Sequence, residues 1–289
     1  MLGSSTPQAS SEPISIVIFI LFGLIINGVV YRQGFFKLPS IKTDHRYWSF
    51  FQCLACFSLY LVNALTITPF FFRMILSMQF SMLENIKIQL VFYQSLNVLI
   101  NITLFLLYLS FQKKPQIKAL WKDPSVESNS YFYDILLGIF TWFISFPVVV
   151  ALNSLVEWIN YNLFKFEEVD QVAVRFLKTS STSAATLIIT TIMIIITAPF
   201  IEEFLFRGCL QNWLRQKLGT IQAILLTSFI FAMMHFSPSQ KLSNIPLLVS
   251  LFAFSLYLGF LYEKTRSLLA PIILHMTFNG ISVMRILFS

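Results

Sequence analysis

The chain has 289 residues, of which 56% are hydrophobic and only 11% are charged. A soluble globular domain carries about 25% charged residues, so this chain has too little charge to cover a water-facing surface, and a soluble protein is excluded. The formal net charge of +7 does not indicate a nucleic-acid partner, because the basic residues lie in loops between apolar runs. The partner that this charge favours is the anionic surface of the membrane.

Eight apolar runs approach the length of about 20 residues that a membrane-spanning helix needs. In chain order they cover residues 14–30, 48–72, 88–111, 131–155, 184–210, 221–236, 245–262 and 267–288. The sixth run is short and is not expected to cross the bilayer fully. The alternating short segments of a membrane barrel are absent, so the sequence predicts an all-α, multi-pass integral membrane bundle of about eight transmembrane helices.

These runs divide the chain into four predicted regions. Residues 1–13 form a polar tail that lacks the basic region of a signal peptide, so the first apolar run is expected to remain as an anchor. Residues 14–156 hold four helices without a recognised motif. In residues 157–182, apolar side chains recur at helical spacing between charges, which is typical of an amphipathic connector at a membrane surface. Residues 183–289 hold the remaining helices.

Loop charges predict the orientation of the bundle. The connections after the first, third, fifth and seventh runs hold twice as many Lys and Arg residues as the other connections. They are Arg32, Lys37, Lys42, Arg46, Lys113, Lys114, Lys118, Lys122, Arg215, Lys217, Lys264 and Arg266. Basic loops stay in the cytoplasm, so this end of the bundle is expected to be cytoplasmic and both termini to lie on the other side.

Ionisable side chains are costly inside a bilayer, so each one within an apolar run is a candidate functional residue. The first four runs hold only Asp134, which is close to an end. The last four runs hold Glu202, Glu203, Arg207, His235, His275 and Arg285. The candidate chemistry is therefore concentrated in the last third of the chain.

The spacing of these residues distinguishes candidates for a structural ion pair from candidates for catalysis. Glu203 and Arg207 are four residues apart on one helix face, so they can pair and share their desolvation cost. Glu202 is rotated from Glu203 by about 100°, which leaves it free for chemistry. His275 and Asn279 are also four residues apart, and they present two hydrogen-bonding groups side by side.

A predicted turn at Gly219 places two of the candidates at similar depth. Glu202 and His235 lie almost equally far on either side of it, about 25 Å along each helix at ~1.5 Å rise per residue. His275 and Asn279 lie about 12 Å and 18 Å from the start of their own helix at the same end of the bundle. A modest tilt could bring all four side chains together.

A carboxylate and a histidine in low-dielectric surroundings suit the activation of water, with the carboxylate as general base and then as general acid. A second histidine with an asparagine can donate hydrogen bonds to a developing oxyanion. Two other interpretations stay open. The six residues could be a buried ion pair with satisfied core histidines, or Glu202, the two histidines and Asn279 could bind zinc. The sequence lacks a His-Glu-x-x-His motif and Asn is a poor zinc ligand, so zinc ranks second.

Three motifs carry a resemblance to a known family. The stretch Glu-Glu-Phe-Leu-Phe-Arg at residues 202–207 resembles the Glu-Glu-x-x-x-Arg motif of the CAAX protease and bacteriocin-processing family. The Phe-x-x-x-His stretch that ends at His235 is similar to the second motif of that family, and His275-x-x-x-Asn279 is similar to the third. The resemblance covers about the last hundred residues, so residues 183–289 are identified as a CAAX-protease-like membrane domain.

The resemblance implies a membrane-embedded endopeptidase whose eukaryotic members remove the last three residues of prenylated CAAX proteins. Its implied substrate is a membrane-associated or prenylated protein or peptide, and no nucleic acid or cofactor is implied. The implied roles give Glu202 the activation of water with help from His235, and give His275 and Asn279 the oxyanion. Glu203 and Arg207 support them. Some relatives act in bacteriocin self-immunity or as membrane scaffolds, so a non-catalytic membrane protein is the rival function.

Overall fold

The computed structural model describes residues 13–39, 48–79, 85–123, 130–166, 168–181 and 183–288. These residues form ten helices and no strand. The helices are α1 (Pro13–Arg32), α2 (Phe50–Leu76), α3 (Ile86–Ser110), α4 (Lys114–Trp121), α5 (Tyr131–Phe164), α6 (Val172–Ser180), α7 (Ala184–Leu218), α8 (Thr220–Met233), α9 (Asn244–Thr265) and α10 (Leu269–Phe288). Most of the predicted N-terminal tail, and Lys42 and Arg46, lie outside the described residues.

Seven of the described helices are long and apolar enough to cross a bilayer, namely α1, α2, α3, α5, α7, α10 and α9 with the short 3-10 turn that precedes it. The prediction of an all-α polytopic membrane bundle is confirmed. The sixth predicted run corresponds to α8, which has only 14 residues. At ~1.5 Å rise per residue it is about 21 Å long, so it cannot span a ~30 Å hydrocarbon core.

The fourth span is longer than the sequence predicts, because α5 continues to Phe164. Polar residues interrupt the apolar pattern after residue 155, yet they find partners within the protein. The side chain of Asn160 donates to the carbonyl oxygen of Leu242 at 3.1 Å, and that of Asn162 donates to the carbonyl of Trp158. The amphipathic connector contains a helix, α6, over Val172–Ser180.

The centre of the bundle is formed by α5, α9 and α10, and α1 packs on the outer side of α5. Gly138 lets α5 approach α10 closely, because a Cβ atom there would lie 2.7 Å from the carbonyl oxygen of Ala270. Phe254 of α9 stacks on Phe278 of α10, with ring centroids 4.4 Å apart. Both residues are near the middle of their helices, so this contact marks the mid-height of the bundle.

The other helices enclose α7, which is packed against α2, α8 and α10. A tight turn joins α7 to α8 at Gly219, whose φ of +86° is the conformation that glycine adopts without strain. The short helix α4 buries Ala119 and Leu120, and the carbonyl of Leu120 accepts a hydrogen bond at 2.8 Å from the backbone N–H of Leu268, just before α10.

Candidate active site

Glu202 and Glu203 lie in α7 between two π-helical segments, Met193–Thr197 and Phe204–Gln211. Pro199 follows the first segment, and because proline has no N–H, it cannot make the usual hydrogen bond one turn back. A π-helical turn inserts one residue and changes the direction in which later side chains project, and such turns are frequent at functional sites. The backbone of α7 is thus irregular on both sides of the two carboxylates.

Glu203 and Arg207 form the ion pair that their spacing predicts. The guanidinium Nη1 lies 3.0 Å from Oε1 of Glu203, and both side chains are fully buried. Nη2 of Arg207 donates to the hydroxyl and the carbonyl oxygen of Ser255 on α9, and the guanidinium lies over the ring of Phe231 at 4.8 Å. The pair therefore joins α7 to α8 and α9 at mid-height.

His275 on α10 is bound to the same carboxylate. Its Nδ1 lies 2.8 Å from Oε1 of Glu203, which also accepts the hydrogen bond from Arg207. A carboxylate that pairs with arginine is ionised and can only accept, so Nδ1 of His275 carries the hydrogen. Its other ring nitrogen, Nε2, is left to face Glu202.

His235 lies just beyond the last residue of α8, and its orientation is set by the backbone. Its Nδ1 lies 2.8 Å from the carbonyl oxygen of Phe231, and its ring lies 4.8 Å from the ring of Phe231. A carbonyl oxygen can only accept, so Nδ1 of His235 is also the protonated nitrogen. Because α8 ends before it spans the bilayer, His235 is at mid-height with 32% of its side chain exposed.

Both imidazoles converge on Glu202. Nε2 of His235 and Nε2 of His275 each lie 3.9 Å from Oε2 of Glu202, and this buried oxygen has no hydrogen-bond partner among the described residues. A separation of 3.9 Å is too long for a direct hydrogen bond, but it matches two groups that share one water molecule. The similar depth predicted for Glu202 and His235 is therefore observed.

Of the six predicted site residues, Asn279 is the one for which the structure gives no contact with the other five. Its side-chain amide donates to the carbonyl oxygen of Ile194 at 2.9 Å, within the first π-helical segment of α7. It lies one helical turn beyond His275 on α10, and one of its two amide hydrogens remains for another acceptor. Its predicted role in binding an oxyanion stays a prediction.

A residue that the sequence did not indicate also approaches Glu202. Helix α2 runs antiparallel to α7, so that Cys53 contacts Cys209 and Phe57 packs on Phe206. Along the same face the phenol of Tyr60 comes within electrostatic range of the Glu202 carboxylate. A tyrosine in an apolar run resembles any other aromatic core residue, so no sequence signal singled it out.

The site combines two carboxylates, a guanidinium and two imidazoles in surroundings that are otherwise apolar. Among the described residues, no group of three or more His, Cys, Asp and Glu side chains has an arrangement that could hold a metal ion. The arrangement can polarise a water molecule between Glu202 and the histidines, and it can place positive charge or N–H donors close to that water.

The comparison with known proteins identifies this part of the chain. Residues 184–281 match a protein-family model described as type II CAAX prenyl endopeptidase Rce1-like. We call residues 184–281 the Rce1-like domain after this model. No curated protein and no solved structure shows significant similarity to the chain. The Rce1-like domain begins with α7 and ends within α10, so it contains all six predicted site residues, whereas α1 to α6 lie outside it.

Proposed function

We propose that this protein is an intramembrane endopeptidase in which Glu202 and His235 activate water to hydrolyse a peptide bond. One observation carries the proposal: Nε2 atoms from α10 and from the end of α8 face the same unpartnered oxygen of Glu202, each at 3.9 Å. If the Glu203–Arg207 ion pair were only structural, it would need neither a second carboxylate nor two histidines beside it. The match to the Rce1-like family supports a protease on independent grounds.

The two histidines have different partners, which supports different roles. A backbone carbonyl binds His235, and this partner gives little stabilisation to a charged ring, so Nε2 of His235 is suited to accept a hydrogen bond from water. A carboxylate binds His275 and can stabilise an imidazolium, so Nε2 of His275 is suited to donate.

In the proposed reaction, a water molecule gives its hydrogen bonds to Glu202 and His235. Glu202 takes one proton as the oxygen attacks the carbonyl carbon of the substrate, and the C=O electron pair moves onto the carbonyl oxygen. His275 and the free amide hydrogen of Asn279 donate to this oxyanion. When the tetrahedral intermediate collapses, the C–N bond breaks and Glu202 returns the proton to the leaving amine.

The position of the site supports a membrane-associated protein or peptide as the substrate. Glu202 is 24% exposed and lies at mid-height among apolar helices, so a scissile bond must enter from the lipid or along the space beyond the short helix α8. A prenylated CAAX-type peptide is the first substrate to test, because the family model is named for that activity.

The proposal is tested with the purified full-length protein in lipid nanodiscs and a set of farnesylated CAAX-type and unmodified transmembrane peptides. We expect cleavage of at least one peptide, and Glu202→Gln and His235→Ala should each lower the rate by about 10²–10⁴-fold. Glu157→Gln on α5, the matched control, should retain the activity. Wild-type rates in both site variants would refute the assignment.

Zinc is the weaker candidate, because no group of three His, Cys, Asp or Glu side chains among the described residues is arranged to hold a metal ion. One observation favours it: metal-binding histidines commonly donate their other ring N–H to a carboxylate or a carbonyl, as both do here. In that mechanism Glu202 would be a ligand and no separate base would remain beside it. We expect activity to survive phenanthroline. Stoichiometric zinc, with activity that chelation removes and zinc restores, would favour the metal mechanism.

Genetic complementation distinguishes the non-catalytic rival, an immunity or scaffold protein, from the metal-free and the zinc-dependent peptidase. Under the proposed function, Glu202→Gln should fail to restore the phenotype of a deletion strain although the variant is present in the membrane. Full restoration would show that binding, and not hydrolysis, is the function.

A further inference from the structure

Helix α4 carries a line of lysines at one end of the bundle. Lys114, Lys118 and Lys122 follow each other at four-residue spacing, and Lys113 precedes the helix as its N-cap. Residues four apart lie on one helix face, so the line extends over about 12 Å at ~1.5 Å rise per residue. Lys113, Lys114 and Lys118 are exposed, and Lys122 lies over the ring of Tyr131 at 4.9 Å.

Two acidic residues, one after α4 and one at the end of α9, are already paired with Arg266, and Asp134 lies within electrostatic range of Lys122. Asp123 pairs with Arg266 at 2.5 Å, and Glu263 accepts a hydrogen bond from Arg266 at 3.1 Å, with all three side chains buried. Within the described ranges, no ion pair joins Lys113, Lys114 or Lys118 to an acidic side chain. The lysine face therefore presents positive charge that the described part of the protein does not neutralise.

The opposite face of α4 fixes the helix to the bundle. The side chain of Leu120 contacts the position of Gly208 on α7, and its carbonyl accepts from Leu268 just before α10. The backbone N–H of Asp123 donates to the carbonyl of Arg266, in addition to the ion pair between their side chains. Because these contacts already hold α4 in place, binding of a ligand to its basic face does not have to order the helix.

The location of α4 matches the headgroup level of a membrane. The helix follows the end of α3 and precedes the start of α5, where Tyr131 is 49% exposed. Exposed tyrosines at the ends of spanning helices lie at the membrane–water interface. Clusters of basic residues next to a spanning helix attract anionic lipids.

We propose that α4 binds the phosphate headgroups of anionic phospholipids through Lys114 and Lys118. Binding also stabilises the turn between α9 and α10, because α4 is attached to that turn through Leu120 and Asp123. His275 follows this turn on α10, so lipid occupancy stabilises the helix that carries a site residue. The lipid site itself does not depend on the proposed protease activity.

The test measures binding of phosphatidylglycerol and of phosphatidylcholine to the purified full-length protein in detergent, by native mass spectrometry and by the shift in melting temperature. The double variant Lys114→Gln/Lys118→Gln removes two charges of the line. Each lysine near a membrane surface contributes about fivefold in affinity, so we expect about 25-fold weaker binding of phosphatidylglycerol. The stabilisation by this lipid should be lost as well.

The control is Lys87→Gln/Lys165→Gln, which removes two exposed lysines at the opposite end of the bundle. It should bind phosphatidylglycerol as the wild-type protein does. Unchanged binding by the α4 variant, equal loss in the control, or equal affinity of the wild-type protein for phosphatidylcholine would each overturn the proposal. A protein partner in place of lipid would appear as unchanged lipid binding in the α4 variant.

Discussion

The two halves of this bundle bury different kinds of polar groups. Between α2 and α3, amides and a hydroxyl hydrogen-bond to each other: Asn63 donates to Asn97, Asn101 donates to Asn97, and Thr68 donates to Asn63. The Rce1-like domain instead buries the charged pair Glu203–Arg207 at the same mid-height. Neutral amides are enough to hold helices together in lipid, whereas charges are costly there and mark functional sites.

The two polar groups also differ in the kind of oxygen that is left without a hydrogen-bond partner within the described part of the chain, which in the α2–α3 network is the amide oxygen of Asn101. The Asn63 side chain uses both its amide nitrogen and its oxygen within the protein. Oε2 of Glu202 is buried and has no hydrogen-bond partner among the described residues. An unsatisfied buried carboxylate oxygen is destabilising unless water or a substrate supplies a donor. Under the proposed function, the first half serves the assembly of the bundle and the second half serves the chemistry.

Arg207→Ala should produce the largest loss of stability, because it leaves the buried Glu203 without its guanidinium partner. Breaking a buried ion pair costs about 3–5 kcal/mol. A denaturant titration of the protein in detergent measures this loss in the free energy of unfolding. Glu202→Ala is the comparison variant and should leave the stability nearly unchanged or raise it. Equal destabilisation by the two changes would remove the distinction between structural and catalytic carboxylates.

Gly259→Ala should have the next largest effect, because the Rce1-like domain has no space at this position. A Cβ atom would lie 2.7 Å from Oε1 of Gln211 and 3.2 Å from Ile224. Overpacking of this kind costs about 1–3 kcal/mol. Gly28→Ala in α1 is the matched control, since no atom lies within 4 Å of its Cβ position. A thermal unfolding comparison in which both variants are equally stable would show that the close packing of α9 on α7 is unimportant.

Asn63→Ala tests the assembly half, and its effect should be smaller. Hydrogen bonds between membrane helices contribute about 0.6 kcal/mol on average and up to about 1.7 kcal/mol. The variant should therefore melt slightly earlier than the wild-type protein while its peptidase rate per folded molecule stays the same. A large loss of rate at unchanged stability would contradict the division, since it would place chemistry in the α2–α3 network.

Tyr60→Phe should give the smallest effect, and it tests whether a residue of the first half contributes to the proposed reaction. The phenol approaches Glu202 from α2, outside the Rce1-like domain. We propose that the phenol donates a hydrogen bond to Glu202 or to its water during the reaction. One such bond contributes about 0.5–1.5 kcal/mol, so its loss should lower kcat by about fivefold. Tyr108→Phe on α3 removes a hydroxyl that bonds to Gln52 and is the control. Identical rates in both variants would confine the chemistry to α7–α10.

The sequence predicted the fold and much of the geometry of the candidate site for identifiable reasons. Apolar run length defined the helices, because lipid requires every backbone polar group to be paired within the chain. The length of the apolar run underestimated the length of α5, because Asn160 and Asn162 interrupt the apolar pattern but donate to carbonyl oxygens in the fold. Helical spacing predicted the pairing of Glu203 with Arg207, and equal distances from Gly219 predicted the approach of Glu202 to His235.

Other features needed the three-dimensional structure. The bond between His275 and Glu203 joins α10 to α7, and no local spacing encodes it. The π-helical segments beside the two carboxylates have no sequence pattern that sets them apart from ordinary helix. The approach of Tyr60 depends on how α2 packs against α7, and spacing within one helix carries no information about that packing.

The most direct test of the central claim follows the oxygen atom of the water. The purified protein is incubated with a cleavable membrane peptide in water labelled with heavy oxygen, and the products are analysed by mass spectrometry. We expect a single new cleavage site whose new carboxyl group carries one labelled oxygen, and Glu202→Gln should give no such product. Cleavage at an undiminished rate in Glu202→Gln, or no cleavage of any tested peptide by the wild-type protein, would contradict the proposal that Glu202 activates water.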